Sequence, residues 1–171
     1  MEGVEFTHHA LIEDSRGSFV KFFLASSSTA FSSNLRFAEF FRNHTYLGGV
    51  RGFHLQTGPA ENFRVIHVVR GVIHDVLVDL RPESTTYLQI EERTMSGSTP
   101  SSLLVPPGVA HAFQAVEEAD VFYGVTSEYA PEFDTGVNVE SVYQKWPLPI
   151  SVISERDRHL PSLDEWIHGR R

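Results

Sequence analysis

The feature that most constrains the fold is a series of short apolar segments, rich in valine, isoleucine, phenylalanine and tyrosine, separated by glycine and proline turns. Segments of this kind predict β-strands. The predicted strands are residues 19–24, 64–69, 72–80, 87–90, 102–105 and 121–126. Helical signals are few: residues 35–41 are compatible with a short turn or helix, and Ser162 and Glu165 have the spacing of a capping box. Many short strands with little helix predict an all-β sandwich, jelly roll or barrel.

Residues 72–80 show the clearest two-residue alternation in the chain. His74 and Val76 fall on one face of this predicted strand, whereas Ile73, Asp75 and Asp79 fall on the other. Acids on one face of a strand can lie in a barrel interior or in water, and the sequence leaves both places open.

Length and composition limit the classes of function. The 171 residues fit one domain, residues 1–171, and no repeat or linker divides them. The formal net charge of −8 and the lack of a basic run disfavour non-specific nucleic-acid binding, although a few arginines can still hold a diphosphate. Cysteine is absent, which excludes a disulfide framework, a thiol nucleophile and a cysteine metal site.

Two further sequence features bear on location. The first residues show no basic stretch followed by an apolar one, so no signal peptide is expected. No apolar run approaches the length of a membrane span. We therefore expect a cytoplasmic protein without membrane contact.

Four patches carry candidate chemistry, at residues 14–19, 51–56, 106–113 and 153–157. Each is weak alone, because a single histidine near a strand is more often packed or solvated than catalytic. Their order along the chain is more informative. The successive motifs are Arg-Gly-x-His-x-Gln at 51–56, Gly-x-x-x-Asp-Val-x-Val-Asp-x-Arg at 71–81, Pro-x-Gly-x-Ala-His at 106–111, tyrosines at 123 and 129, Trp-Pro at 146–147, and Ser-x-x-Asp at 154–157.

These motifs resemble the dTDP-4-dehydrorhamnose 3,5-epimerase family, whose members are cupin-type jelly rolls. The resemblance extends from Phe6 to Leu163, and chance does not supply six such motifs in order. It implies an all-β cupin-type jelly-roll β-barrel with a few short helices, acting as a homodimer without cofactor or metal. The implied substrate is a nucleotide-diphosphate 4-keto-6-deoxyhexose, inverted at C3, C5 or both in the making of a deoxysugar.

The resemblance also implies roles for individual residues. His54 is similar to the general base that removes a proton next to the keto group, and Asp157 to the carboxylate that orients this base. Tyr123 is similar to the tyrosine that returns a proton from the opposite face. Arg51 and Arg16 resemble residues that hold the diphosphate.

Other residues are implied to line the sugar and nucleotide pocket. They are Phe19, Asn43, Gln56, Asp75, His111 and Tyr129. In a dimer, residues near Arg16 and Phe19 are expected to reach the neighbouring site.

The implied chemistry is physically consistent. The C4 carbonyl can take up charge as an enolate, which acidifies the hydrogens at C3 and C5. The reaction therefore needs a base on one face, a proton donor on the other, and a positive or hydrogen-bonding group at the carbonyl oxygen. Histidine suits the base, and a neighbouring carboxylate fixes its tautomer.

Departures from the family pattern indicate a change in substrate or in the number of inverted centres. The family commonly has a lysine where this chain has Arg64, near the expected keto oxygen. It often has a glutamate where this chain has Lys21, near the expected nucleobase. Phe41 stands where a glutamine is usual, and the segment before Trp146 is short.

Structural roles remain open for several of these residues. Asp157 could be a surface acid beside neighbouring arginines. Tyr123 could be a core residue, Asp75 a partner in buried hydrogen bonds, and Arg64 a structural ion-pair partner.

Two other classes of function stay open. His54, Gln56, Glu61 and His111 follow the ligand pattern of metal-dependent cupin oxygenases, with glutamine in place of one histidine. Glutamine is a poor ligand beside imidazole and carboxylate. The second alternative is a non-catalytic sugar-binding cupin, which would bind a nucleotide sugar without exchanging its protons.

Overall fold

The structure is a computed structural model that describes residues 1–22, 35–143 and 145–169. These residues form mostly strands, joined by turns. In chain order the strands are β1 (Glu5–His8), β2 (Leu11–Asp14), β3 (Gly17–Val20), β4 (Glu39–Thr45), β5 (Val50–Gln56), β6 (Arg64–Arg70), β7 (Val72–Asp79), β8 (Ile90–Ser96), β9 (Ser101–Val105), β10 (Val109–Ala115), β11 (Ala119–Val125) and β12 (Asp134–Gly136). The helical elements are a 3-10 turn at Gly58–Ala60, α1 (Val139–Val142), α2 (Glu155–Arg158) and α3 (Leu163–His168).

Two five-stranded antiparallel sheets form the body of the fold. Their strand orders are β1-β9-β6-β11-β4 and β12-β5-β10-β7-β8, while β2 and β3 pair as a separate hairpin. This architecture confirms the prediction of an all-β protein with a few short helices.

The main core lies between the two sheets. Ile66 and Val121 from one sheet pack in the same cluster as Leu77 and Phe113 from the other, and each is at most 1% exposed. Removing such side chains from water stabilises the fold by about 25 cal/mol per Å² of apolar surface. Because the two sheets pack closely, the polar side chains that lie between core residues are held at fixed positions relative to one another.

A second core covers the outer face of the β7-containing sheet. Val76 and Val78 pack there with Val137 and Val139, under the partly buried Trp146. Both faces of β7 are therefore buried. The alternation of residues 72–80 separates two cores, and it places Asp75 and Asp79, each 0% exposed, on the inner face.

Several local predictions are corrected. Residues 35–41 form no helix: residues 35–38 are irregular and β4 begins at Glu39, because its backbone pairs along β11. Tyr87 and Leu88 form a turn held by the bond from Leu88 N–H to the Asp79 carbonyl, so β8 begins only at Ile90. In the predicted strand 19–24, β3 ends at Val20, and residues 23 and 24 lie outside the described residues.

The predicted capping box is confirmed. The Ser162 side chain accepts the Glu165 N–H, and the Glu165 carboxylate accepts the Ser162 N–H. Among the described helices, none has the length and apolar character needed to cross a membrane. The cytoplasmic location stays a prediction.

Candidate functional site

A cavity of about 340 Å³ is lined by both large sheets. It brings together most of the residues that the sequence singles out. Those lining it are Asn43, Arg51, His54, Gln56, Arg64, His111, Tyr123 and Tyr129. Asp157 and Asp75 stand behind this lining, bonded to His54 and His111.

His54 and Asp157 form a hydrogen-bonded pair. His54 Nε2 is 2.7 Å from Asp157 Oδ1, and the two side chains are 29% and 4% exposed. Burial opposes the ionisation of Asp157, but hydrogen bonds and charge attraction from His54, with further bonds from Gly52 and Ser154, outweigh it and lower the pKa of Asp157. An ionised carboxylate only accepts, so it holds the Nε2 proton and leaves Nδ1 of His54 as the basic nitrogen.

The position of Asp157 follows from local sequence. Ser154 is the N-cap of α2 and accepts the Asp157 N–H at 3.1 Å, which orients the first turn of this helix. Gly52 donates its N–H to Asp157 Oδ2 at 3.2 Å. Gly52 has a φ of 122°, and a Cβ there would lie 2.5 Å from the His111 carbonyl oxygen, so the Arg-Gly-x-His motif requires glycine where β5 approaches β10. Asp157 is thus a buried partner of His54, and its interpretation as a surface acid is wrong.

Tyr123 is both a core residue and a wall of the cavity. It is 5% exposed, belongs to the core between the sheets, and lies on β11. Burial and the negative charge of Asp75 raise the pKa of Tyr123 well above its usual value, against the smaller effects of Arg64, Asn43 and Arg51. The phenol therefore holds its proton at neutral pH, as a proton donor must.

Arg64 contacts the backbone of His54. Its Nη1 donates to the His54 carbonyl oxygen at 2.9 Å, and its Nε finds no hydrogen-bond partner among the described residues. Burial lowers the pKa of Arg64 to about 10, which still leaves a cation at neutral pH. The structure therefore places a permanent positive charge at the cavity, and its direct bond is to a carbonyl rather than to a carboxylate.

Asp75 and His111 form a second, fully enclosed pair. His111 Nε2 and Asp75 Oδ2 share a short hydrogen bond, and Asp75 Oδ1 has no hydrogen-bond partner among the described residues. The His111 ring stands edge-on to Tyr123 at a centroid distance of 6.2 Å. Asp75 thus fulfils the expectation of a buried hydrogen-bonding acid, and it does so next to the cavity.

Gln56 ties two loops to β5 while lining the cavity. Its Nε2 donates to the carbonyl oxygens of Ala60 and Glu128, each at 3.3 Å, and its Oε1 accepts the Ala130 N–H at 2.7 Å. Glu61 is exposed. Within residues 1–22, 35–143 and 145–169, no three His, Asp or Glu side chains converge to hold a metal ion. These positions give the metal-dependent alternative no support.

Two arginines that line the cavity are held by neighbouring groups. Arg51 is held by two bonds, from Nε to Thr45 Oγ1 at 2.8 Å and from Nη2 to the His44 carbonyl at 3.0 Å. Arg156 Nη2 pairs with Asp134 Oδ2 at 2.6 Å. Tyr129 is 57% exposed.

The sequence motifs did not predict several of the residues that line the cavity. They are Glu39, Phe41, Asn62, Asp134 and Arg156. Phe41 departs from the family pattern and Arg156 is the sequence neighbour of Asp157, but neither feature predicts a place in the cavity lining. The alternation along β4 places Phe41 on the same face as Asn43 and offered a signal for it, whereas no pattern marks Asn62 or Asp134.

Arg16, Phe19 and Lys21 are not among the residues that line this cavity. Arg16 and Phe19 belong to the β2–β3 hairpin, and the Arg16 side chain is 88% exposed and paired with Asp14 at 2.6 Å. Phe19 is 54% exposed, and Lys21 Nζ lies 5.9 Å from the centre of its ring. The structure of one chain does not bring these residues to the site.

Comparison with known proteins gives a consistent result. The family model for dTDP-4-dehydrorhamnose 3,5-epimerase matches residues 1–165. A dTDP-4-dehydrorhamnose 3,5-epimerase from Methanothermobacter thermautotrophicus is 30% identical over 171 aligned positions, covering 96% of this chain and 92% of the relative.

Solved structures show the same likeness. A 4-keto-6-deoxy sugar epimerase from the novobiocin gene cluster of Streptomyces spheroides superposes with a TM-score of 0.91 at 27% identity, covering 99% of this chain and 87% of the other. A 3'-monoepimerase from Streptomyces bikiniensis, in complex with dTDP-quinovose, superposes with a TM-score of 0.88 at 25% identity, covering 98% and 88%. These likenesses confirm the predicted cupin-type fold.

Proposed function

Because the chain belongs to the dTDP-4-dehydrorhamnose 3,5-epimerase family and is therefore a carbohydrate epimerase, we propose that it inverts C3, C5 or both centres of a nucleotide-linked 4-keto-6-deoxyhexose. One observation carries this proposal: His54, hydrogen-bonded to Asp157 behind it, and the protonated Tyr123 line the same cavity. A base and a separate acid in one cavity are what inversion at carbon requires, since the proton leaves one face and returns to the other.

The proposed reaction begins with proton removal. His54 Nδ1 takes the proton from the carbon beside the keto group, and Asp157 stabilises the imidazolium that forms. The electron pair moves to the carbonyl oxygen as an enolate. The partly buried guanidinium of Arg64, which lines the cavity, stabilises this negative charge, because electrostatic attraction is stronger away from bulk water.

The second half returns a proton to the opposite face. Tyr123 donates its phenolic proton to the carbon, and the enolate collapses to the ketone. The tyrosinate and the imidazolium carry opposite charges, and proton exchange with solvent restores both residues. Arg64 and Asn43 both favour the ionised form of Tyr123, which limits the cost of this step.

We propose a dTDP-sugar as substrate, with Arg51 at its diphosphate. The two hydrogen bonds to Thr45 and His44 hold the Arg51 guanidinium in place before a ligand arrives, and such preorganisation reduces the entropy lost on binding. The dTDP-quinovose named with the Streptomyces bikiniensis relative supports this nucleotide. Lys21 and Arg64 depart from the family pattern. The labelling experiment below therefore decides which sugar is bound and how many centres are inverted.

We further propose a homodimer in which the β2–β3 hairpin serves the partner's site. The hairpin exposes Leu11, Ile12, Phe19 and Arg16 away from its own cavity, which supports an intermolecular role. Mixing Arg16→Ala and His54→Ala chains tests this arrangement, because each mixed dimer regains one complete site. We expect about a quarter of the wild-type activity after subunit exchange in a two-fold dimer; activity no higher than that of the separate variants would contradict the shared site.

The function is tested by incubation with dTDP-4-keto-6-deoxyglucose in deuterated water, with NMR detection of label at C3 and C5. Label at both carbons indicates a 3,5-epimerase, and label at one indicates a mono-epimerase. His54→Ala is expected to abolish exchange while nucleotide-sugar binding is retained. Tyr123→Phe is expected to slow inversion more than exchange. Binding without exchange across a panel of nucleotide sugars would contradict the proposal and favour a binding protein.

A further inference from the structure

Strand β4 presents two neighbouring side chains to Tyr123. Phe41 stacks on the Tyr123 ring, with ring centroids 4.8 Å apart and planes inclined by only 7°. Asn43 lies two residues farther along β4, hence on the same face, and hydrogen-bonds the Tyr123 hydroxyl. The register of β4 and β11 sets Phe41 directly opposite Tyr123, so the stack is built into the strand pairing.

We propose that Phe41 is a positioning residue for the second half-reaction, holding the Tyr123 ring so that its hydroxyl delivers the proton to the face opposite His54. This inference rests on the proposed epimerase function and deepens it. Phe41 covers one face of the phenol, and the His111 ring stands against it edge-on at 6.2 Å. These two ring contacts and the hydrogen bond from Asn43 restrain the phenol at the cavity wall.

The confinement matters because proton transfer to carbon depends steeply on distance. A donor must lie within hydrogen-bonding reach of the accepting atom, and a displacement of about 1 Å can cost up to about a hundredfold in rate. A phenol ring that could tilt away would leave the enolate to regain a proton from His54 on the original face. When the proton on His54 has first exchanged with solvent, this return labels the sugar without inverting it.

The chain provides a matched control in the neighbouring residue. Phe40 lies on the outer face of β4, is 59% exposed, and stacks on Phe122 at 5.7 Å with an inclination of 22°. Phe40 and Phe122 therefore form a second aromatic pair between β4 and β11, next to the pair of Phe41 and Tyr123. This second pair lies on the face of the strands that points away from the cavity. Loss of this outer stack weakens the same strand pairing without touching the proton donor.

The experiment measures the partition of labelled sugar between inverted and retained configuration in deuterated water. For Phe41→Leu, which keeps apolar bulk but removes the flat ring, we expect the inverted-to-retained ratio to fall roughly tenfold. Total label uptake, set by His54, and the dissociation constant for dTDP should change less than twofold, as a rough bound. Phe41→Tyr restores a flat ring and should restore the ratio, while Phe40→Leu should leave it unchanged.

A second readout is independent of turnover. The flip rate of the Tyr123 ring, followed by NMR in protein with isotope-labelled tyrosine, should rise in Phe41→Leu and not in Phe40→Leu. An unchanged ratio and an unchanged flip rate in a folded Phe41→Leu protein would overturn the inference, as would an equal effect of Phe40→Leu. If the wild-type protein exchanged no label with any nucleotide sugar, the epimerase proposal would fail, and the flip rate would still decide whether Phe41 holds the ring.

Discussion

Two buried carboxylates of this protein, Asp79 and Asp157, occupy opposite kinds of surroundings. Both side chains are almost fully enclosed, at 0% and 4% exposure. Asp79 accepts hydrogen bonds from the Arg81 guanidinium at 2.7 and 2.8 Å and from the hydroxyls of Ser84 and Thr86, each at 2.6 Å. Asp157 instead has a histidine as its main side-chain partner.

The difference lies in whether the partner can change its charge. Arg81 stays charged and the hydroxyls stay neutral, so the surroundings of Asp79 are constant, and they lower the pKa of Asp79 far below its usual range despite its burial. The same cluster fixes the turn after β7 and binds the N-terminal segment, since Arg81 Nη2 also donates to the Glu2 carbonyl at 2.7 Å. Asp157 instead faces an imidazole, a group of the kind that can accept a proton. A carboxylate that is hydrogen-bonded only to groups of constant charge stabilises a turn. A carboxylate beside an imidazole, whose charge can change, can support catalysis.

Of the variants that test this comparison, the one that removes the charge of Asp157 should have the largest effect. Asp157→Asn should lower the epimerisation rate by about a hundredfold, because a neutral amide neither stabilises the imidazolium nor selects the same His54 tautomer. Steady-state kinetics of product formation measure the change, with binding of dTDP as the control. A rate within a factor of about two of wild type would show that Asp157 does not act through His54.

Asp79→Asn should have the converse effect. Removing this charge leaves Arg81 without its main partner, so the free energy of unfolding should fall by about 3 kcal/mol. The rate per folded molecule should be unchanged, because the turn that Asp79 stabilises is built from residues other than those lining the cavity. Urea denaturation and kinetics on the same samples separate the two quantities. A large loss of rate at unchanged stability would contradict the structural role of Asp79 and indicate a catalytic one.

The smallest expected effect is the pH dependence of that stability difference. The pKa of Asp79 is lower in the folded than in the unfolded chain, so ionised Asp79 contributes its full stability above the unfolded value of about 3.9. Its contribution is lost as the pH falls from there towards the folded value. Denaturation of wild type and Asp79→Asn from pH 7 to pH 3 should therefore show a constant gap that narrows below about pH 4. A gap that widened on acidification would contradict the sign of this shift.

Several residues singled out by motifs lie close together in the structure, whereas some local predictions of secondary structure were wrong. His54, Asp157 and Tyr123 were assigned from motifs, and the structure brings the first two within 2.7 Å across a separation of 103 residues. Residues 35–41 and 87–90 were wrongly assigned, because pairing along β11 and the hydrogen bonds around Asp79 override local preference there. The roles of the three residues in catalysis stay predictions.

Some features could be recognised only in three dimensions. The pairing of Arg156 with Asp134 joins α2 to β12, and nothing in the spacing of these residues indicates it. The alternation in residues 72–80 predicts a strand with two different faces. It does not predict that both faces are buried, because the second face is covered by segments that follow much later in the chain.

The sequence by itself determined the all-β class and the family motifs, because strand periodicity and motif order are properties of the chain, while the pairing of His54 with Asp157 was only implied by the family resemblance. Only the tertiary structure decided which atoms meet, such as those of His54 and Asp157 and the stacked rings of Phe41 and Tyr123. The physical reason is that such contacts depend on strand register and on the packing of sheets. Register and sheet packing arise from the summed contacts of many distant residues, and no short segment encodes them.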